Sequence, residues 1–176
     1  GDETSSKSPT KESGKPRKGG TLRVGALGRA SAITRDPHGT QANESDYLII
    51  SLVHDTLTVP GAEPNTVPRL AASWKASADL RTWTFTLAEG AKFHDGTPVT
   101  AEDVVWSWNK FSTASPFGPE LSYKANPNSP IESMSAADAN TVVVKLGAPD
   151  ASALTMLASS SHLFILPKES EGAFDP

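Results

Sequence analysis

Cysteine is absent from this chain of 176 residues. Its absence excludes disulfide bonds, zinc–thiolate sites and cysteine nucleophiles, although it is compatible with every compartment. The sequence contains no apolar run of about 18 residues, so it predicts no transmembrane helix. No block of basic residues accompanies the net charge of −4. This argues against a nucleic-acid-binding surface, which neutralises phosphates with lysine and arginine.

The motifs of catalysis are missing as well. There is no G-x-S-x-G nucleophile elbow, and the serines are concentrated in polar stretches where they carry little information. His54-Asp55 and His94-Asp95 are adjacent pairs, but neighbouring residues of an extended chain point to opposite sides and make a poor dyad. We interpret Asp95 as a turn residue that binds the backbone, and His54 as a cap at the end of a helix. The sequence therefore predicts that the protein is not an enzyme.

Metal and cofactor sites are not predicted either. No two histidines have the four-residue spacing of a helical metal site. The four histidines are His38, His54, His94 and His162. Gly25 and Gly28 lack the third glycine and the lysine of a phosphate-binding loop. We therefore expect no cofactor and no resident metal.

Residues 1–18 contain no apolar side chain and are rich in serine, lysine, threonine, proline and glycine. Such a segment cannot bury enough surface to offset the entropy lost on ordering. It predicts a disordered tether before the folded part of the chain.

The stretch Leu70–Asn109 holds all four tryptophans of a chain that is 7% aromatic. Within it, Thr82–Leu87 alternates aromatic or apolar residues with threonine, a period of two that predicts a half-buried strand. Trp83 is on the apolar face of this strand. The following His94–Pro98 is dense in turn residues.

A helix is predicted directly after this turn. Thr100 and Asp103 have the spacing of a capping box, in which each side chain satisfies a free amide at the helix start. Val104, Trp108 and Phe111 then recur at the spacing of one apolar helical stripe.

Less distinctive patterns predict the remaining elements, which together make an α+β unit. We expect strands at Thr21–Ala26, Asp55–Pro60, Ile131–Ala137, Thr141–Leu146 and Leu163–Leu166, helices at Glu44–His54 and Ala151–Ser159, and a long loop at Ser112–Ser129. Asp150 is the expected cap of the last helix. We expect Thr21–Ala26 and Leu163–Leu166 to pair with each other or to stay exposed.

Between Ser73 and Val104 the sequence contains S-W-x-x-S-x-D, T-W-T-F-x-L and G-x-K-F-H-D-G-x-P-V-T-A-x-D-V in this order. This order resembles the signature region of the extracytoplasmic solute-binding proteins of ABC importers, in the peptide- and nickel-binding family. The resemblance extends more loosely from Gly19 to about Lys168.

The resemblance implies a class II, two-lobed periplasmic-binding-protein-like fold, of which this chain gives the small inserted domain and two strands of the larger lobe. Residues 1–18 would be the tether, and residues 19–43 the first strand and cleft loop of the larger lobe. Residues 44–160 would form the small α+β domain. Residues 161–176 would carry the return strand to the larger lobe and a truncated end.

The resemblance also implies candidate ligand-binding residues. Gly28, Arg29 and Ala30 match a loop that faces the ligand cleft in the family, and Tyr123 lies in a region that approaches the ligand. The alternatives are a connecting loop without ligand contact and an aromatic residue in ordinary packing.

The implied function is capture of a small solute for import, with an ABC permease in the membrane as partner. A peptide is the favoured solute, and a nickel chelate or a sugar is the alternative. We expect a monomer in the periplasm or at the cell surface, anchored by lipid because Gly1-Asp2 would suit the position after a lipid-modified cysteine. The competing hypotheses are a freestanding interaction domain and a hydrolase assembled from dispersed serine, histidine and aspartate.

Overall fold

A computed structural model describes residues 18–21, 23, 25, 36–38, 49–62, 65–159 and 163–171 of the chain. The strands are β1 (Thr58–Pro60), β2 (Thr66–Pro68), β3 (Ala71–Ala76), β4 (Thr82–Leu87), β5 (Ile131–Asp138) and β6 (Thr141–Leu146). The helices are α1 (Ala101–Ala114) and α2 (Ala153–Ser159), and short 3₁₀ turns occupy Gly118–Leu121 and Lys168–Ser170. The described residues contain no helix that is both long and apolar enough to cross a membrane.

The main sheet is antiparallel, with strand order β3-β4-β6-β5. In β4 the residues Trp83, Phe85 and Leu87 are buried, whereas the threonines between them lie on the other face. This confirms the strand and the face predicted from the alternation. A tight turn joins β5 to β6, and its Asn140 amide donates to the Asp138 carboxylate at 2.8 Å.

Helix α1 covers the apolar face of this sheet. Its predicted capping box is present, because Thr100 accepts from the Asp103 amide and the Asp103 carboxylate accepts from the Thr100 amide. Val104 and Phe111 are fully buried in the core, and Trp108 is 8% exposed. The Trp108 indole donates to the Leu121 carbonyl at 2.7 Å, which satisfies its one polar atom.

The predicted loop Ser112–Ser129 is more ordered than its sequence indicates. Helix α1 continues to Ala114, and the turn Gly118–Leu121 buries Leu121 completely. Glycine is required at position 118 because an added Cβ would lie 2.5 Å from the Phe111 carbonyl oxygen. This close return of the chain onto α1 is set by packing that no local periodicity reports.

A smaller unit lies beside the main sheet. Strands β1 and β2 form an antiparallel pair, and α2 packs against them. Strand β1 is shorter than the predicted Asp55–Pro60. Helix α2 starts two residues later than predicted, because the Asp150 carboxylate binds the amide and hydroxyl of Ser152 in the preceding turn.

Of the two predicted strands of the larger lobe, Leu163–Leu166 is not a strand, and Thr21–Ala26 is only partly described. The described Thr21, Arg23 and Gly25 are exposed and belong to no strand. Residues Leu163–Leu166 are extended but join no sheet, and all four are at most 4% exposed. The expectation that these segments pair or stay exposed is therefore wrong for Leu163–Leu166, which pack into the core instead.

Other predictions fall wholly or partly outside the described residues. The tether lies there apart from Lys18. Of the predicted helix Glu44–His54, only Ile49 and later residues are described, with helical geometry at Ile49 and Ile50 followed by a turn.

Candidate functional site

The side of α1 next to its core-facing stripe meets two other segments of the chain. Asp103, Trp106, Ser107 and Lys110 lie on this face, since they are three, four and seven residues apart. Residues 163–168, here called the return segment, contact it near the start of the helix. Residues 36–38 contact it farther along.

Side chains of α1 make hydrogen bonds to the backbone of the return segment, which joins no strand in the described part of the chain. The Leu166 amide donates to the Ser107 hydroxyl at 2.9 Å, and this hydroxyl donates to the Leu166 carbonyl at 3.2 Å. The Lys168 amide donates to the buried Asp103 carboxylate at 3.0 Å. The Ile165 amide donates to the Asp55 carbonyl at 2.9 Å. The backbone of the return segment is thus satisfied mainly by groups outside any ladder.

His38 ties the second segment to the return segment. Its ring is 1% exposed, and Nε2 donates to the Phe164 carbonyl at 2.7 Å, because a carbonyl can only accept. The ring stands edge-on to Phe111, with centroids 5.5 Å apart. Burial lowers the pKa of His38 to about 4, despite the bond to Phe164. Beside it, Lys110 and Asp36 form an ion pair at 2.5 Å.

A cavity of about 360 Å³ opens between the return segment and the turn before α1. Apolar side chains such as Leu70, Phe93 and Ile165 line its floor, and polar groups stand at its rim. The polar lining residues are His54, Asp55, Lys92, His94, Asp95 and Ser170. Its volume is in the range of small-ligand pockets.

The surroundings of His54 oppose the capping role expected from the sequence. Its ring packs at 5.8 Å, centroid to centroid, against the ring of Phe164. Burial lowers the pKa of His54, and the nearby His94 lowers it further. A dipole-complementing cap requires a protonated ring, so the environment opposes that role.

Asp95 has the turn role expected from the sequence. Its carboxylate accepts from the Thr97 hydroxyl at 2.6 Å and from the Thr97 amide at 2.9 Å. These bonds lower the pKa of Asp95. Gly96 has φ +90°, a conformation in this turn that favours glycine.

A second cavity of about 510 Å³ lies on the other side of the same turn. Thr100, Asp103 and Lys168 line it, but Asp103 is already saturated by backbone and hydroxyl donors. Within the described ranges, no three histidine or acidic side chains come close enough together to hold a metal ion.

Trp106 is the residue on this face that the sequence interpretation overlooked. It is half-buried, but it is not among the described side chains that pack against the hydrophobic core, unlike the other three tryptophans. A signal was present, since Trp106 is two residues off the apolar stripe of Val104 and Trp108. An indole that is neither core nor fully exposed is suited to contact another surface.

Of the predicted ligand residues, only Tyr123 lies within the described part of the chain. Gly28, Arg29 and Ala30 lie outside the described residues. Tyr123 is 46% exposed and lies beside Gly147, at the end of β6. The cavity lies at the other end of β6, because the start of α1 binds the turn before that strand through the Ala101 amide and the Ala139 carbonyl. The six residues of β6 separate these ends by about 20 Å.

The comparisons with known proteins agree on one family of proteins. The profile of the middle region of the bacterial extracellular solute-binding proteins, family 5, matches residues 65–175. The periplasmic oligopeptide-binding protein OppA of Haemophilus influenzae is 36% identical over 91 residues, which are 50% of this chain and 17% of OppA. A probable peptide ABC transporter periplasmic-binding protein of Sinorhizobium fredii is 30% identical over 134 residues, 76% of this chain and 24% of that protein.

Solved structures share the fold. Haemophilus influenzae OppA in complex with the peptide RPPGFSPFR superposes with a TM-score of 0.68 and 28% identity, over 78% of this chain and 29% of that one. AgaA of A. tumefaciens R10, in complex with agropinic acid, gives a TM-score of 0.68 and 30% identity, over 81% and 28% of the two chains. The chain therefore spans less than a third of the length of these relatives, and its α+β architecture is that of periplasmic peptide-binding proteins.

Proposed function

Because the chain belongs to family 5 of the bacterial extracellular solute-binding proteins, we propose that it is part of the solute-capturing component of an ABC transporter. The observation that carries the proposal is the family match over residues 65–175, which include the main sheet, α1 and the return segment. Capture breaks no bond, so the residues would act through shape, hydrogen bonds and a few polar anchors.

A peptide is the proposed solute. The support comes from relatives named for oligopeptide, dipeptide and murein peptide binding, one of them solved with a nine-residue peptide. A small organic acid is the second candidate, because AgaA is equally similar in structure and was solved with agropinic acid. A nickel chelate and a sugar stay predictions from the sequence.

We further propose that this chain supplies one side of a cleft, which a second lobe would complete on closure. The division into residues 19–43, 44–160 and 161–176 is part of this proposal. Trp106 is the proposed aromatic contact to the solute, because it is half-buried outside the core on the face of α1 that meets the return segment. Gly28, Arg29, Ala30 and Tyr123 stay predicted contacts.

The proposed partner is an ABC permease, with the binding protein acting as a monomer outside the cytoplasm. The support is that relatives are named as periplasmic binding proteins. A lipid anchor before the polar tail is a finer prediction, and metabolic labelling of the native protein with a fatty acid would test it.

Thermal unfolding with ligands tests the function. The chain, and a longer protein that contains it, would be heated with di- and oligopeptides, nickel chelates and agropinic acid. Mass action predicts that a peptide raises the Tm of the two-lobed protein and leaves that of the chain unchanged. Stabilisation of the chain alone would contradict the half-cleft proposal, and failure of every peptide would contradict the cargo.

Substitutions in the longer protein test the contact. Trp106→Ala should weaken peptide binding about tenfold or more, as for a buried aromatic contact. Thr86→Ala, on the open face of the sheet, is the matched control and should leave Kd unchanged. If Tyr123→Ala lowers affinity and Trp106→Ala does not, the contact lies at the Tyr123 end.

A further inference from the structure

Phe164 of the return segment is held between two histidines. His38 binds its carbonyl at 2.7 Å, and the His54 ring packs against its ring at 5.8 Å. Phe164 itself is 3% exposed. These contacts bring together residues 126 and 110 positions apart in sequence, and neither contact belongs to a sheet or a helix.

Both rings are placed where a positive charge is disfavoured. Nδ1 of His38 is buried with no hydrogen-bond partner, so a proton added there would have no acceptor among the described residues. The His54 ring has no hydrogen bond to the described part of the chain and borders an apolar cavity floor. The return segment is therefore docked against two imidazoles in their neutral form.

The charged side chains in the described part of the chain do not compensate for protonation. Lys110 of α1 opposes a positive charge on His38. Asp36, two residues before His38, favours a positive charge there, but its carboxylate is paired with Lys110. His94 opposes protonation of His54, and Asp36 favours it. The remaining charged side chains that border the cavity with His54 are Asp55, which is paired with Arg69, together with Lys92 and Asp95.

We propose that His38 and His54 make docking of the return segment acid-sensitive, so that protonation releases residues 163–168 from α1 while the sheet stays folded. The cavity beside His54 and Ile165 gives solvent access to the site. Because the same segment would lead into the larger lobe, its release would loosen the connection between the two parts of the protein.

The direction of the effect follows from proton linkage. The docked state has lowered pKa values, so the released state binds more protons, and docking weakens as pH falls below about 6.5. For His38 the loss continues to its docked pKa of about 4 and then levels off. Between pH 7 and pH 5, His38 alone should lower the docking equilibrium about 20-fold, and His54 acts in the same direction.

Amide hydrogen exchange of the 176-residue chain tests the proposal. The protection factors of the Ile165 and Leu166 amides should fall about 20-fold or more from pH 7 to pH 5. Those of Val142 and Val144, in the central strand β6, should stay nearly constant. An unchanged protection of Ile165 and Leu166 would overturn the proposal, and so would a parallel fall in β6, which would indicate global unfolding.

Two variants assign the effect to the histidines. His38→Gln keeps a donor for the Phe164 carbonyl without a titrating ring, so most of the pH dependence should disappear. His54→Gln removes a half-buried ring, and the protection factors should then fall less steeply with pH than in the wild type. This variant tests the proposal even if the return segment does not dock in His38→Gln. His94→Gln is the control, because His94 is exposed at the rim of the cavity. In this variant the decrease in protection that depends on His38 should persist. A wild-type pH dependence in both His38→Gln and His54→Gln would refute the proposal.

Discussion

The main sheet and the return segment lie against adjacent sides of helix α1, and different polar contacts accompany their packing. Between the sheet and the helix, fully buried apolar side chains such as Phe85, Val104 and Val144 make the contact. On the adjacent side, the Ser107 hydroxyl and the Asp103 carboxylate each accept one backbone amide of the return segment. Buried apolar area stabilises both contacts. The return segment depends in addition on single acceptors for its amides, whose loss would leave buried amides unsatisfied.

This difference determines how each face should respond to mutation. Apolar contacts on the sheet side are numerous, so truncation of a large side chain should lower the stability of the whole unit. On the return-segment side, a single oxygen atom serves each amide, so loss of that oxygen should release the segment locally.

The largest expected effect is on the sheet side. Trp83→Ala should lower the free energy of unfolding by about 3–5 kcal/mol, because it removes a large core side chain that is 8% exposed. Urea denaturation measures this change. Trp83→Phe is the matched control, and it should cost much less because the indole nitrogen of Trp83 is buried without a partner. A cost under about 1 kcal/mol for Trp83→Ala would mean that the strand face is inverted.

Asp103→Ala should have the next largest effect. Its carboxylate accepts from the Thr100 amide at 2.8 Å and from the Lys168 amide at 3.0 Å, so two amides would lose their acceptor. We expect a loss of about 2–4 kcal/mol in the free energy of unfolding, from the helix cap and a charged hydrogen bond together. Glu102→Ala, on the exposed side of the same turn, is the control and should have little effect. Equal losses in the two variants would contradict the role of Asp103.

Ser107→Ala should cost less and act more locally. It leaves the Leu166 amide and carbonyl without their partner, which should lower the free energy of unfolding by about 1–2 kcal/mol. Hydrogen exchange should show the loss at Leu166 and not in β6. Ser112→Ala removes an exposed hydroxyl that bonds to its own helix, and it should change neither quantity.

The smallest effect is expected at the exposed turn before α1. The lowered pKa of Asp95 means that its charged form stabilises the fold. This contribution is present above the ordinary pKa of the group and is lost as pH falls through the lowered pKa. Asp95→Ala should therefore lower Tm slightly at neutral pH and not at about pH 2. A Tm difference that persists in acid would contradict the hydrogen-bonded turn.

The sheet and α1 could be predicted from the sequence because their information is local. The alternation of Thr82–Leu87 and the spacing of Thr100 and Asp103 each lie within a few residues, and both were confirmed. The capping box identified the start of the helix to the residue. Packing on the sheet side then follows from which faces are apolar.

The return segment could not be predicted because its partners are remote. Ser107 and Leu166 are 59 residues apart, and Asp103 and Lys168 are 65 residues apart. An apolar run such as Leu163–Leu166 predicts a strand from its own composition, but nothing local shows that side chains of a distant helix will bind its backbone. The same holds for His38, whose partner Phe164 is 126 residues away.

Native-state hydrogen exchange in increasing denaturant at neutral pH tests the central claim, that the return segment depends on single acceptors for its amides in addition to apolar packing on α1. Amides of β4 and β6 should exchange through global unfolding, with a steep dependence on denaturant. The Ile165, Leu166 and Lys168 amides should exchange through a smaller opening at lower free energy, with a shallow dependence. If all these amides share one free energy and one slope, the return segment is part of the same cooperative unit as the sheet, and the account is wrong.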